Sequence, residues 1–310
     1  MKKKPANNFN KFTKKKSNAA IKEQFKQEKR KWKKEREAFF DEKKKKAAAE
    51  RDGTIKPPVY ETSKTKPQTS NEQMPLNKFM AHCGVSSRRD AAETVKLGKV
   101  KVNDVLITDP GFKVSSKDEV KVNGKKILLA KNLIYILLNK PKDYITTTDD
   151  PQQRKTVVDL IRITERIYPV GRLDRNTSGV LLLTNDGDLS QKLTHPSHEV
   201  KKVYHVTLNR ALEKKDFDNI LKGITLDDGP ASVDALAYAD SKDKTQLGVE
   251  IHSGRNRIVR RIFEKLGYDV KALDRVIFAG LTKKNVERGK WRFLSEKEVR
   301  DLKYFGKGNR

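Results

Sequence analysis

Apolar positions are sparse over the first 70 residues and become periodic only from Met74. There Leu76, Phe79 and Met80 recur at helical spacing and Gly84 ends the pattern, which predicts a short helix. Ser87, with Asp90 three residues on as its capping-box partner, opens a second helix that turns Ala91, Ala92 and Val95 inward and closes at Gly98. Strand alternation then takes over across Val100–Asn103, Val105–Thr108 and Glu119–Asn123. Turn-forming pairs separate these strands at Asn103-Asp104, Pro110-Gly111 and Asn123-Gly124.

From Leu133 onward the pattern mixes strands and helices. Ile134–Leu138 reads as a strand leading into Asn139-Lys140-Pro141, Lys201–Leu208 as a strand and Glu213–Leu221 as a helix. Ile224–Tyr238 reads as a hairpin around Asp228-Gly229-Pro230, and Leu247–His252 as a further strand. Over Asn256–Leu266 a helix carries an apolar stripe of Val259, Ile262, Phe263 and Leu266, with Arg257, Arg260 and Arg261 on another face. Strand signals near Val270 and Val276 precede a closing helix over Glu296–Tyr304. Runs of strands with inserted helices predict an α+β fold on a largely antiparallel sheet.

One stretch, residues 168–188, departs from ordinary connecting sequence. Two apolar runs, Ile167–Val170 and Val180–Thr184, read as strands, and between them Gly171–Gly179 packs Arg, Asp, Arg, Asn, Thr and Ser into a short loop. Asp174 stands at its centre between Arg172 and Arg175. A carboxylate among arginines is held ionised; it is either a salt bridge bracing the loop or a nucleophile or base. The following Asn185-Asp186-Gly187-Asp188 is too short for a cation loop. It reads as a turn, with Asp188 capping a helix that runs through Leu193 and ends at Pro196.

Charge changes the picture further. Lys and Arg number 69 against 41 Asp and Glu, a net +28, and residues 1–70 alone hold 23 of the cations and 9 of the anions. Such a balance calls for a polyanionic partner. Residues 1–73 read as a disordered basic arm and linker, punctuated by Pro57, Pro58 and Pro67. A charged helix over residues 20–50 has no apolar stripe to dock it. The arm is expected to bind RNA electrostatically, with Trp32, Phe39 and Phe40 available to stack on bases, the plainer alternative being a solvated tail. Residues 306–310 form a basic tail. No apolar run approaches the roughly 20 residues of a spanning helix, no secretory signal opens the chain, and Cys83 is the single cysteine, so a reducing cytoplasm is expected. The five histidines, His82, His195, His198, His205 and His252, lack metal-binding spacing, and neither a phosphate loop nor a dinucleotide fingerprint is present. Neither a metal nor a nucleotide cofactor is therefore expected.

Two stretches carry a resemblance to known families. Leu76-Asn77-Lys78-Phe79, Ser86-Ser87-Arg88-Arg89 and Gly98-Lys99-Val100-Lys101-Val102-Asn103 resemble a small RNA-binding domain shared by a small-subunit ribosomal protein and several RNA-modifying enzymes, over residues 74–130. Arg88, Arg89, Lys96, Lys99 and Lys101 would there meet a phosphate backbone. The run Gly171-Arg172-Leu173-Asp174-Arg175-Asn176-Thr177-Ser178-Gly179 resembles the defining motif of the RsuA and RluB type of pseudouridine synthase. Leu138-Asn139-Lys140-Pro141, Lys202-Val203-Tyr204 and Gly254-Arg255-Asn256-Arg257-Ile258-Val259-Arg260-Arg261 support it in order and spacing.

This resemblance implies a catalytic domain over residues 131–305 that isomerises a uridine of ribosomal RNA, without a cofactor. Asp174 takes the place of the catalytic aspartate, Tyr204 of the tyrosine lying against the uracil, Arg260 of the basic residue paired with the aspartate, and Arg172 of the arginine entering the space left by the flipped nucleotide. Arg255 and Arg257 would bind RNA. The arginine-rich run is more similar to the large-subunit branch, although Ile258 stands where a more polar residue is common. The expected substrate is ribosomal RNA or a pre-ribosomal particle, and the expected state is a monomer. A reading of a different class is a non-catalytic RNA chaperone or ribosome-assembly factor, which would tolerate loss of Asp174.

Overall fold

The computed structural model describes residues 73–115, 117–129 and 132–304, and six isolated helical positions, Gln27, Arg30, Lys34, Glu37, Ala38 and Asp41. The rest of the basic arm expected over 1–73, including Trp32, Phe39 and Phe40, and the tail over 306–310 lie outside the described residues. The chain divides into two units at Lys56–Pro57, and the elements named below all belong to the second.

Strand β1 (Met74–Pro75) leads into helices α1 (Leu76–His82) and α2 (Arg88–Lys96). Five strands follow: β2 (Val100–Val102), β3 (Val105–Ile107), β4 (Lys113–Val114), β5 (Val120–Val122) and β6 (Lys125–Ile127). They form an antiparallel sheet in the order β3-β2-β5-β6 and a separate β1–β4 pair. The expected capping box is present, Ser87 Oγ accepting from Asp90 N while the Asp90 carboxylate accepts from Ser87 N. Leu76, Phe79, Met80, Ala91, Val95 and the valines of β2, β4 and β5 close a core of their own. Ala92, expected inside, is only half-buried. Strand β3 differs too. Its run Val105-Leu106-Ile107 does not alternate and it is a sheet edge, so Val105 and Leu106 stay more than half exposed.

The remaining elements are β7 (Tyr135–Lys140), β8 (Tyr168–Pro169), β9 (Ser178–Thr184), α3 (Gly187–Thr194), β10 (Lys202–Leu208) and α4 (Lys214–Lys222). After them come β11 (Ile224–Leu226), β12 (Gly229–Ala231), β13 (Ala235–Tyr238), β14 (Gln246–Ile251) and α5 (Ile258–Lys265). The chain ends with β15 (Val270–Phe278), β16 (Leu281–Thr282), β17 (Trp291–Phe293) and α6 (Glu296–Tyr304). Strands β13-β14-β10-β15-β9-β7-β17 form one sheet, with β16 on β15 and β8 on β9. Every pairing between its strands is antiparallel except β9 with β15. The fold is α+β, as its strand-rich pattern predicts.

Strands β7 and β9 are buried along their whole length because both faces of the sheet are covered. Ile136, Leu138, Leu181 and Leu183 enter the core shared with α5, whereas Tyr135, Leu137, Val180 and Leu182 enter the opposite core with Leu189, Leu193, Val299 and Leu302. Burying each such aliphatic side chain is worth about 1.5–3 kcal/mol. A surface ion pair is worth about 0–1 kcal/mol. The platform beneath the loop after β8 is therefore set by these two cores. Among the described residues, no helix is long and apolar enough to cross a membrane.

Four expectations need correction. The hairpin expected over Ile224–Tyr238 closes early, as β11 with β12, and β13 instead joins the main sheet through β14. The strand signals at Val270 and Val276 belong to one strand, β15. Helix α3 is capped by Asp186, whose Oδ1 accepts from Leu189 N, because Asp188 already lies in its first turn. Finally, Arg260 is set apart from Arg257 and Arg261: it is 9% exposed and buried with the apolar residues of α5, whereas Arg257 is exposed and Arg261 half-buried.

Candidate active site

The loop between β8 and β9 is fixed from several directions. Lys140, fully buried at the end of β7, donates from Nζ to the carbonyls of Pro141, Asp174, Arg175 and Thr177 at 2.9–3.2 Å. Thr146 Oγ1 donates to Leu173 O at 2.7 Å, Asp143 N donates to Arg175 O, and the Arg175 side chain pairs with Asp143 at 3.4 Å. Within the loop, Thr177 N closes a turn onto Asp174 O. At the loop's end, Gly179 lies against β15 with φ +112; a Cβ there would sit 2.1 Å from the Arg275 carbonyl oxygen, so no other residue fits.

Asp174 is thus presented, half-buried, to a cavity of about 320 Å³. Arg172, Asp174, Tyr204, Arg255 and Arg257 all line it, so five of the residues singled out from the sequence converge. Tyr204, 9% exposed, comes from β10, where it stands opposite Val249 on β14 and Arg275 on β15. Arg172 is exposed at the mouth. Arg260 stands behind the lining, donating from Nη1 to Val270 O at 2.8 Å, while its buried Nε has no hydrogen-bond partner. Burial lowers the pKa of this guanidinium, the Arg257 charge adds to the effect, and the Asp174 charge opposes it.

The arginines ahead of α5 are not all open to a ligand. Arg255 donates to both carboxylate oxygens of Asp228 and to Pro230 O, and Arg261 donates to the same carboxylate. Asp228 is held far below the usual carboxylate range by these two guanidiniums. Arg257, in the left-handed region at φ 48, is turned instead toward Glu264 at 3.2 Å. Arg88, Arg89, Lys96, Lys99 and Lys101 are all exposed on α2 and the adjoining loop and strand, with Lys96 paired to Glu93. They lie on residues 88–101, outside the cavity. Among the described residues no group of three or more His, Cys, Asp or Glu is placed to hold a metal ion.

A family model described as RNA pseudouridylate synthase matches residues 134–265, and one described as S4 domain matches residues 74–120. Ribosomal large subunit pseudouridine synthase B of Bacillus subtilis (strain 168) is 41% identical over 232 residues, covering 74% of this chain and 95% of that protein. The chain belongs to the RNA pseudouridylate synthase family. Dual-specificity RNA pseudouridine synthase RluF of Escherichia coli O157:H7 is 33% identical, over 73% of this chain and 77% of that protein. The crystal structure of a pseudouridylate synthase aligns with a TM-score of 0.55 at 27% identity, over 74% of this chain and 99% of that one.

The cavity also holds Lys202, named within the run Lys202-Val203-Tyr204 but given no role, and Arg275, which the sequence did not single out. Lys202 lines the cavity and donates from Nζ to Val200 O and His252 O, tying β10 to the loop that carries Arg255 and Arg257. Burial, helped by the Arg275 charge, lowers its pKa to about 8. Arg275 also lines the cavity and is 2% exposed. The signal available for both was a cation inside an otherwise strand-like run. That signal does not separate a buried cation from one at a strand edge.

Proposed function

We propose that the chain isomerises one or a few uridines of ribosomal RNA, in the large subunit, with Asp174 as nucleophile or base and without a cofactor. The observation that carries this reading is the convergence of Asp174, Tyr204 and Arg172 on one cavity whose size suits a single nucleoside. Ligand cavities run from ~300 to ~1,000 Å³, and this one is at the small end. A base held in a helix cannot reach such a cavity, so the target must leave its stack. Arg172, exposed beside the cavity, is read as the residue that takes the space the base vacates.

Isomerisation breaks the bond between uracil nitrogen one and the sugar's anomeric carbon, turns the ring and joins that carbon to ring carbon five. No atom is gained and no electron is lost, and the proton on carbon five moves to a nitrogen. Asp174 either attacks the anomeric carbon or removes the neighbouring sugar proton. Tyr204 lies against the uracil and helps to pass the ring proton. Arg260, behind the cavity lining, is the basic residue paired with this carboxylate.

Residues 131–305 form the catalytic domain and residues 74–130 hold RNA with Arg88, Arg89, Lys96, Lys99 and Lys101. The large-subunit assignment is supported by the name of the Bacillus subtilis relative and by the run Gly254–Arg261. The enzyme is read as a cytoplasmic monomer, acting on ribosomal RNA or an assembling particle. The test is incubation of the full chain with unmodified small- and large-subunit transcripts and with assembling particles, followed by mapping of new pseudouridines at single-nucleotide resolution. A discrete site in large-subunit RNA, absent with Asp174→Asn, is expected. No new site on any of these substrates overturns the reading in favour of a binding factor.

A further inference from the structure

Arg275 has no part in the chemistry above, yet its burial is costly. It sits in the middle of β15 at 2% exposure, and a guanidinium taken out of water needs strong compensation. The neighbouring carboxylate does not supply it: Asp274 accepts from Ser178 and is committed to Lys283 and Arg288. The Arg275 Nε donates to Val180 O at 2.8 Å, its guanidinium stacks over Phe278 at 4.5 Å from the ring centre, and Nη2 is buried with no hydrogen-bond partner.

The group that faces this buried guanidinium across the strand pair is Tyr204. It stands directly across the strand pair from Arg275, at a register shift that falls between Val203 and Tyr204. Irregularities of this kind re-aim a side chain. Tyr204 and Arg275 thus extend from neighbouring strands to the same side of the sheet, and the phenol opposes the lowering of the guanidinium pKa caused by burial. Both residues line the cavity that holds Asp174. The same Arg275 backbone is the surface against which Gly179 closes the Asp174 loop.

We infer that Arg275 is a positioning residue for the isomerisation, holding the Tyr204 side chain in the cavity and referring it to the β9 backbone that anchors the Asp174 loop. The inference rests on the isomerase reading proposed above for Tyr204.

The test is a double-mutant cycle of Tyr204→Phe and Arg275→Lys in the full chain, read as single-turnover rate at saturating RNA, RNA affinity and melting temperature. Arg275→Lys is expected to lower the rate about tenfold or more while affinity changes less than about twofold, and to cost nothing further in the Tyr204→Phe background. Equal losses in both backgrounds, or a wild-type rate in Arg275→Lys, overturn the inference. Because Arg275→Lys can unfold the sheet, a second measurement leaves Arg275 intact. In arginine-selective ¹⁵N spectra, a guanidinium signal protected from exchange is expected to shift on Tyr204→Phe, and protected signals that all stay in place overturn the contact. A wild-type chain inert on every RNA would sink the isomerase reading alone, since the spectra still report whether Arg275 holds Tyr204.

Discussion

Lys140 places an ammonium on four carbonyls in a spot without exposed surface, and burial lowers its pKa to about 8. Between about pH 8 and its ordinary 10.5 the unfolded chain binds this proton more than the folded one, so the group alone raises stability with pH in that window. Activity should move the other way. The neutral amine has two protons for four carbonyls and no charge beside the Asp174 loop, so the single-turnover rate should fall above about pH 8 with no matching fall in melting temperature. Lys140→Met should leave those carbonyls unserved, at a cost of about 1–3 kcal/mol. A thermal scan should show a melting point several degrees lower. By contrast, Asp174→Asn should abolish pseudouridine formation and leave RNA affinity and melting temperature nearly intact. Arg260→Met should also lose activity, through a misplaced aspartate, and wild-type turnover in that variant would remove its role. Asp174 stood out in the sequence because its loop is crowded with polar residues, and Tyr204 through the resemblance carried by Lys202-Val203-Tyr204. Lys140 entered only as a member of the run Leu138-Asn139-Lys140-Pro141 and Arg275 not at all, because one cation inside a buried strand has no periodic signature. The depth of Arg260 was misjudged for a related reason: spacing of three and four reports the angle around a helix and says nothing of how far neighbouring strands cover it.

At the scale of elements, the contact between β9 and β15 decides the geometry of the site. These strands pair in parallel over Asp274–Ser178 and Arg275–Gly179, and the side chain of Asp274 with Lys283, Arg288 and Ser178 braces the same point. Gly179 is the closest approach. Adding one methyl group there would bring a Cβ to 2.1 Å from Arg275 O and 2.6 Å from Arg275 N, at a backbone angle that side chains rarely adopt. Gly179→Ala should therefore cost about 3–5 kcal/mol, combining backbone strain with overpacking. Urea denaturation should show a lower midpoint, and the rate per folded molecule should fall as well, because the loop can relieve the clash only by moving Asp174. Most elements were legible to within a residue or two from period and punctuation, as with α1, α2, β10, α4 and α6. The partners of the strands were not. Ala235–Tyr238 looked like the return arm of a local hairpin, but Leu236 packs in the core shared with Val249 and Leu247, a gain the local pairing does not provide.

Over the whole molecule, charge is distributed against the catalytic geometry. Half of the net +28 belongs to residues 1–70, which precede the first periodic element, while the cavity groups come from residues 171–278. The sequence therefore separated a strongly basic region from the region that supplies the cavity. It could not show that the cavity draws on strands as far apart as β9, β10 and β15, since sheet order follows from long-range pairing. The arm's contribution has a distinct physical signature. Phosphate contacts release counterions, so log affinity falls with log salt by ~0.7 per phosphate neutralised on single-stranded RNA. The cavity lined by Arg172 and Arg257 lies outside residues 1–70. Removing residues 1–70 should thus weaken rRNA binding at low salt, and it should flatten the salt dependence by several contacts' worth of slope. The mapped pseudouridine should stay where it was. Filter-binding titrations of the full chain and the truncated chain across a salt series would measure both effects. An unchanged slope would make the arm a passive solvated tail, and a displaced modification would mean that the arm, beyond adding affinity, sets the register of the RNA on the catalytic face.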